Sequence, residues 1–255
     1  ARALLGYDPR TGADFTADQG APVRVRAMLA HTSGVCDRPV YWAELGETTR
    51  ALIGEGSACA HAPGAGWAYS NLNYGLAAEV MERASGERFD QLAQRLVLAP
   101  AGLEAGFNWS GTPAALRSRG AALHRFEDGA WRVQIDDAAT LNDDAPALRA
   151  RPGARWEAYP IGTNGTLFSP QGGLRASAVD LARLAGLFLP GGPGEALTQP
   201  VDIAGGEPET GVLAWASGPQ ILTAGQIPGR PALSLVGHAG EAYGLYAGAW
   251  ADPTR

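Results

Sequence analysis

From residue 211 to the end, the chain is cut into short β-like runs at 211–217, 219–224, 232–236 and 243–250, with turn residues between them. This spacing predicts a meander of antiparallel strands. Ahead of it the apolar periodicity is helical. Val25, Met28 and Leu29 fall at i, i+3 and i+4 on a short helix that Gly34 can end, and Tyr41 to Ile53 reads as weakly helical. Leu72, Leu76, Val80 and Ala84 form an apolar stripe, with Gly86 where a left-handed C-terminal cap belongs. Phe89, Leu92 and Leu96 give the inward face of a second helix, which Pro100 stops. Ser177 with Asp180 predicts a capping box ahead of Leu181, Leu184 and Phe188. Residues 104–160 read as loops and short strands. Helices in the middle with strands toward the ends argue for an α+β fold and against a βαβ arrangement.

The 255 residues suit one large domain or two intertwined lobes with a substantial core, and 45% hydrophobic against 18% charged residues fits neither a disordered chain nor a membrane one. No run of 18 apolar residues exists, so no membrane span is expected. The net charge of −6 argues against a nucleic-acid partner. All 20 basic residues are Arg, so no chemistry that needs a lysine amine is open to these residues. Cys36 and Cys59 are either a bridge, worth roughly 3 kcal/mol for a loop of about two dozen residues, or two buried free thiols. Neither stands at ligand spacing to another Cys or His, and His31, His61, His124 and His238 are dispersed, so neither metal nor cofactor is expected. His61 and His124 read as solvated, and His31 as a structural residue holding the turn after the first helix.

Four local patterns remain. Leu29-Ala30-His31-Thr32-Ser33-Gly34 ends the first helix. Pro63-Gly64, Tyr69-Ser70-Asn71 and Tyr74-Gly75 precede the next. Gly172-Gly173-Leu174 stands before the Ser177 helix, and Gly237-His238-Ala239-Gly240 follows the 232–236 strand. In this order and at these separations they resemble the serine β-lactamase-like family, which includes class C β-lactamases, DD-peptidases, D-aminopeptidases and β-lactamase-like esterases. The resemblance runs from about residue 22 to 250. It implies an antiparallel sheet flanked by helices, with a mostly helical lobe at about 35–190, sheet strands at about 205–255 and an active-site groove between them.

Carried over by motif, Tyr69 is the proton relay and Asn71 a substrate-orienting amide. His238 lines the groove, and the amide of Glu241, just past Gly240, is one half of an oxyanion hole. Asn71 also reads as the N-cap of the following helix, and Gly172 and Gly173 as positions of special backbone conformation. An extended substrate could lie along a 232–240 edge strand. The family's Ser-x-x-Lys and its closing strand and helix have no counterpart here, so the fold is expected to be incomplete at both ends. The expected function is a serine hydrolase cleaving an ester, amide or peptide through an acyl-serine intermediate, with its nucleophile outside these residues. A neutral His238 where the family often carries a Lys tilts the reading toward an esterase or peptidase over a β-lactamase. The alternative is a scaffold that kept the groove and lost the chemistry. The family often works outside the cytoplasm, which implies a periplasmic or secreted place.

Overall fold

The computed structural model describes residues 1–16, 22–107, 119–134, 159–201, 214–242 and 244–254. Its helices are α1 (Arg2–Leu5), α2 (Val25–Leu29), α3 (Leu72–Ser85), α4 (Phe89–Ala93) and α5 (Ala178–Gly186). The strands are β1 (Gly106–Phe107), β2 (Leu123–Glu127), β3 (Ala130–Gln134), β4 (Leu174–Arg175), β5 (Ala214–Trp215), β6 (Gln220–Leu222), β7 (Leu235–Ala242) and β8 (Leu245–Ala251). The fold is α+β. Strands β5 to β8 form one antiparallel sheet in sequence order, as expected for a meander.

The sequence places the third strand of that meander too early. β7 starts at Leu235 and runs on to Ala242, so His238 and Gly240 lie inside the strand instead of after it. Tertiary pairing carries the strand through the glycines, because Gly237 faces Trp250 in the β7–β8 ladder. A Cβ at Gly237 would lie 1.9 Å from the Ala249 carbonyl oxygen, so only glycine fits this close approach. Residues 211–213 of the expected first strand, and Tyr243, lie outside the described residues. Helix α5 covers the sheet through Ala185, Val236 and Ala251. Its capping box is formed as expected, with Ser177 accepting from the Asp180 amide.

Helix α3 is the centre of the helical part, and Gly86 caps it in the left-handed conformation at φ 72°. Leu72, Leu76 and Val80 are buried, but Ala84 is exposed, and the buried face instead widens to take in Glu79 and Glu82. Buried carboxylates need partners. Glu79 accepts from Tyr7 Oη (2.9 Å) and Arg83 Nε (3.0 Å), and Glu82 accepts from the amides of Phe89 (2.8 Å) and Gly162 (2.9 Å) and from the Tyr159 hydroxyl. The loop 163–168 docks against this helix backbone to backbone. A Cβ at Gly165 would lie 2.0 Å from the Gly75 carbonyl oxygen.

Two helical expectations are corrected. Within 41–53 the only helical turn is a 3-10 turn at Thr49–Leu52. Helix α4 passes into a π-helical turn at Gln94–Leu98, which inserts an extra residue into the spacing and rotates the following side chains. Leu96 is therefore exposed, and Leu98 turns inward against Leu103 and Ala105. In the hairpin β2–β3, Asp128 (φ 51°) and Gly129 (φ 79°) form the two-residue turn with two positive φ angles that suits the strand twist.

Candidate active site

The site grows from the end of α2. The helix stops at Ala30 and not at Gly34, because His31 adopts a left-handed φ of 57° and turns the chain. This conformation costs a side-chain-bearing residue about 1–2 kcal/mol. Two bonds to the segment entering α3 oppose that cost: the His31 carbonyl accepts from Ala68 N–H (2.9 Å), and the His31 ring Nδ1 accepts from Ser70 N–H (3.0 Å). An accepting Nδ1 assigns the ring proton to Nε2. Nε2 is buried and has no hydrogen-bond partner among the described residues. Burial, and next the neighbouring His238, push the imidazole pKa down to about 3, so the ring is neutral at pH 7.

Around this ring the structure gathers residues from three parts of the chain. Tyr69 stacks on His31 with ring centroids 4.4 Å apart and 25° between planes. Trp215 of β5, fully buried, meets His31 edge-on at 4.9 Å. The same indole lies 5.9 Å from the Tyr69 ring and 5.6 Å from the His238 ring. Tyr69 and His238, which the sequence sets 169 positions apart, thus meet across one tryptophan. Burial first, then the charge of Asp37 and the neighbouring Tyr41, raise the Tyr69 pKa above the ordinary phenol value. Tyr69 is therefore a protonated phenol, a donor and not a base, at neutral pH. His238 is half-buried in β7, and burial lowers its pKa, which leaves it neutral as well.

Gly240 and Glu241 are exposed on β7, opposite Ala247 and Tyr246 of β8. On its other side β7 is paired with β6 only through Leu235–Gly237, and Ala239 N–H bonds instead to Gln220 Oε1 (2.9 Å). This corrects the expected 232–240 edge: 232–234 precede the strand, 235–237 are covered, and only the stretch beyond them is open toward β6 among the described residues. Backbone groups of a strand alternate with a period of two, so the Glu241 amide points the same way as that of Ala239, into the open side.

Asn71 stands at the N-cap position, immediately before α3, but its side chain does not cap the helix. Its own backbone is helical (φ −65°, ψ −36°), and its Nδ2 donates to Asp37 Oδ2 (2.8 Å). The cap is Asp37, which also accepts from the amides of Asn71 and Leu72, each at 2.8 Å. Sequence reasoning missed Asp37, since nothing local links it to a helix 34 residues away. Trp215 was one tryptophan among seven with no sign of its place. Ser70 is fully buried, its N–H bonded to His31 and its hydroxyl to Asp37, so the hydroxyl is not presented to a substrate. His124 is exposed as expected, whereas His61 is half-buried with its ring packed on Gly66. Neither Gly172 nor Gly173 takes a positive φ, so their expected special conformation is not found. Cys36 and Cys59 form a disulfide. Among the described residues no cluster of His, Cys, Asp or Glu is arranged to hold a metal ion, and no helix is long and apolar enough to cross a membrane.

The Beta-lactamase family model matches residues 5–255. Penicillin-binding protein 4* of Bacillus subtilis is 28% identical over 111 residues, which make up 40% of this chain and 25% of that protein. The octameric penicillin-binding protein homologue from Pyrococcus abyssi superposes with a TM-score of 0.67 at 17% identity, over 99% of this chain and 52% of the other. The D-stereospecific amidohydrolase from Streptomyces sp. gives a TM-score of 0.59 at 19% identity, over 91% of this chain and 64% of the other. The chain thus spans a quarter to under two thirds of the length of these relatives.

Proposed function

The chain belongs to the Beta-lactamase family, and on that premise we propose that it forms the groove of a serine hydrolase that cleaves an ester or amide through an acyl-serine intermediate. The observation that carries this reading is the meeting of Tyr69 and His238 across Trp215, beside a strand whose Glu241 amide faces an open edge. Acyl transfer needs a proton route and donors aimed at the developing oxyanion. Tyr69 supplies the first, Asn71 orients substrate, and the Glu241 amide, left accessible by Gly240, supplies one of the donors. No lysine is present among the 255 residues, and the raised pKa of Tyr69 makes it a poor base unless a cation approaches it. The nucleophile and its activating cation therefore come from outside these residues.

The substrate reading follows from His238. A neutral imidazole is a weak anchor for the carboxylate of a β-lactam, which favours an ester or a peptide-like amide. Amide cleavage has a precedent on this fold in the Streptomyces amidohydrolase. The Cys36–Cys59 bridge supports a periplasmic or secreted setting, where such bonds persist.

The test is covalent labelling of the full-length protein with a fluorophosphonate and with a penicillin probe, followed by rates on short p-nitrophenyl esters, a cephalosporin and D-Ala-D-Ala peptides. Labelling with ester or peptide turnover above cephalosporin turnover is the expected result. A folded full-length protein that takes neither label is a scaffold, and the hydrolase reading is then wrong.

A further inference from the structure

We infer that Asp37 is the positioning residue of this site, the group that sets the Tyr69-Ser70-Asn71 segment in a single geometry. The inference rests on the reading of Tyr69 and Asn71 as site residues. One carboxylate takes four hydrogen bonds at 2.8 Å: Oδ1 accepts from the Ser70 hydroxyl and Leu72 N–H, and Oδ2 accepts from Asn71 N–H and Asn71 Nδ2. Capping a helix requires only the terminal N–H groups to be met. The Ser70 hydroxyl and the Asn71 side-chain amide are not among those groups. Engaging them does nothing for the helix end, but it fixes the orientation of both residues that flank or carry the chemistry.

The opposite side of the same peptide is held too, since Ser70 N–H bonds to His31 Nδ1. Tyr69 therefore emerges from a segment pinned between an imidazole and a carboxylate, with its ring lying on that imidazole. Asp37 itself sits on a tethered loop. The adjacent Cys36 is bonded to Cys59, Cys36 N–H donates to the Ser57 carbonyl (2.9 Å), and Cys59 N–H donates to the Gly34 carbonyl (2.9 Å). A carboxylate held this firmly can transmit its position to the groove, where misplacement of a reacting group by about 1 Å costs of the order of 100-fold in rate.

The experiment compares Asp37→Ala, which removes every acceptor, with Asp37→Asn, which keeps one oxygen for one pair of donors. In the full-length protein, the acylation rate at saturating fluorophosphonate and the hydrogen exchange of residues 70–72 are measured together. The expected result for Asp37→Ala is exchange at least tenfold faster and acylation ten- to a hundredfold slower, with probe affinity changed less than threefold. Asp37→Asn should fall between Asp37→Ala and the native protein. Faster exchange with acylation within twofold of native overturns the proposal, since Asp37 is then only a helix cap. Unchanged exchange overturns it as well. If the native protein takes no label, the proposed function fails separately, and the NMR signals of the Tyr69 ring and the Asn71 side-chain amide decide. Collapse to averaged positions in Asp37→Ala, with Asp37→Asn retaining dispersion, supports positioning, and unchanged signals refute it.

Discussion

The phenol of Tyr69 lies flat on the imidazole of His31, 4.4 Å between centroids, while the His31 ring nitrogen takes the amide proton of the very next residue, Ser70. The second contact needs an unprotonated Nδ1. A second proton would turn Nδ1 from acceptor into donor and set it against the Ser70 N–H.

Acid should therefore destabilise the protein through His31. Its folded pKa of about 3 lies below the unfolded value of 6.5, so between those values the unfolded chain holds a proton that the folded chain lacks. The stability is fully present above pH 6.5 and falls as pH drops toward 3. His31→Asn, which tolerates the positive φ, should flatten this dependence. Urea unfolding midpoints from pH 7 to pH 4 check this. An unchanged slope in the variant would show that His31 is not the group responsible. His238, with its own lowered pKa, accounts for a residual slope of the same sign.

Tyr69→Phe keeps the ring on His31 and removes only the hydroxyl. Labelling of the full-length protein by fluorophosphonate should slow by about 10²- to 10⁴-fold, the usual contribution of a positioned proton-transfer group. The melting temperature should barely move. Equal labelling rates for the two proteins would remove Tyr69 from the proton route.

The Cys36–Cys59 bridge spans 23 positions, and opening it should lower the unfolding free energy by about 3 kcal/mol. Denaturant titrations of the native protein and of a Cys36→Ser, Cys59→Ser variant measure the difference directly. A loss below about 1 kcal/mol would mean that the loop carrying Asp37 is held by its other contacts.

Gly165 and Gly172 make a matched pair. A Cβ at Gly165 would lie 2.0 Å from the Gly75 carbonyl oxygen and 2.4 Å from the Glu79 amide nitrogen, both backbone atoms that cannot swing aside, whereas a Cβ at Gly172 meets nothing within 4 Å. Gly165→Ala should cost about 3 kcal/mol or more, and Gly172→Ala should change stability by no more than about 0.5 kcal/mol. Similar unfolding midpoints for the two variants would show that α3 and the 163–168 loop are not docked as described.

Much of the fold was legible in the sequence because its signals are short-range. The Leu72, Leu76, Val80 spacing with Gly86 marked α3, Ser177 with Asp180 marked the start of α5, and the turn-separated runs marked the meander. Each is a hydrogen bond or a periodicity spanning a few residues, which the chain encodes wherever it is placed. The Tyr69-Ser70-Asn71 and Gly237-His238-Ala239-Gly240 motifs were legible for the same reason, as local patterns. Where a local regularity breaks, reading fails: the π-helical turn at Gln94–Leu98 exposes Leu96, and strand pairing draws Gly237 to Ala242 into β7.

By itself, then, the sequence determined the α+β class, the positions of the principal helices, the residues of the motifs and the absence of any lysine. Tertiary structure alone decided that Asp37 reaches the start of α3, that Trp215 joins Tyr69 to His238, and that His31 resists protonation down to about pH 3. Those facts depend on which surfaces pack together and how much water they exclude. Contacts of that kind join residues 23 to 146 positions apart, which no local spacing encodes.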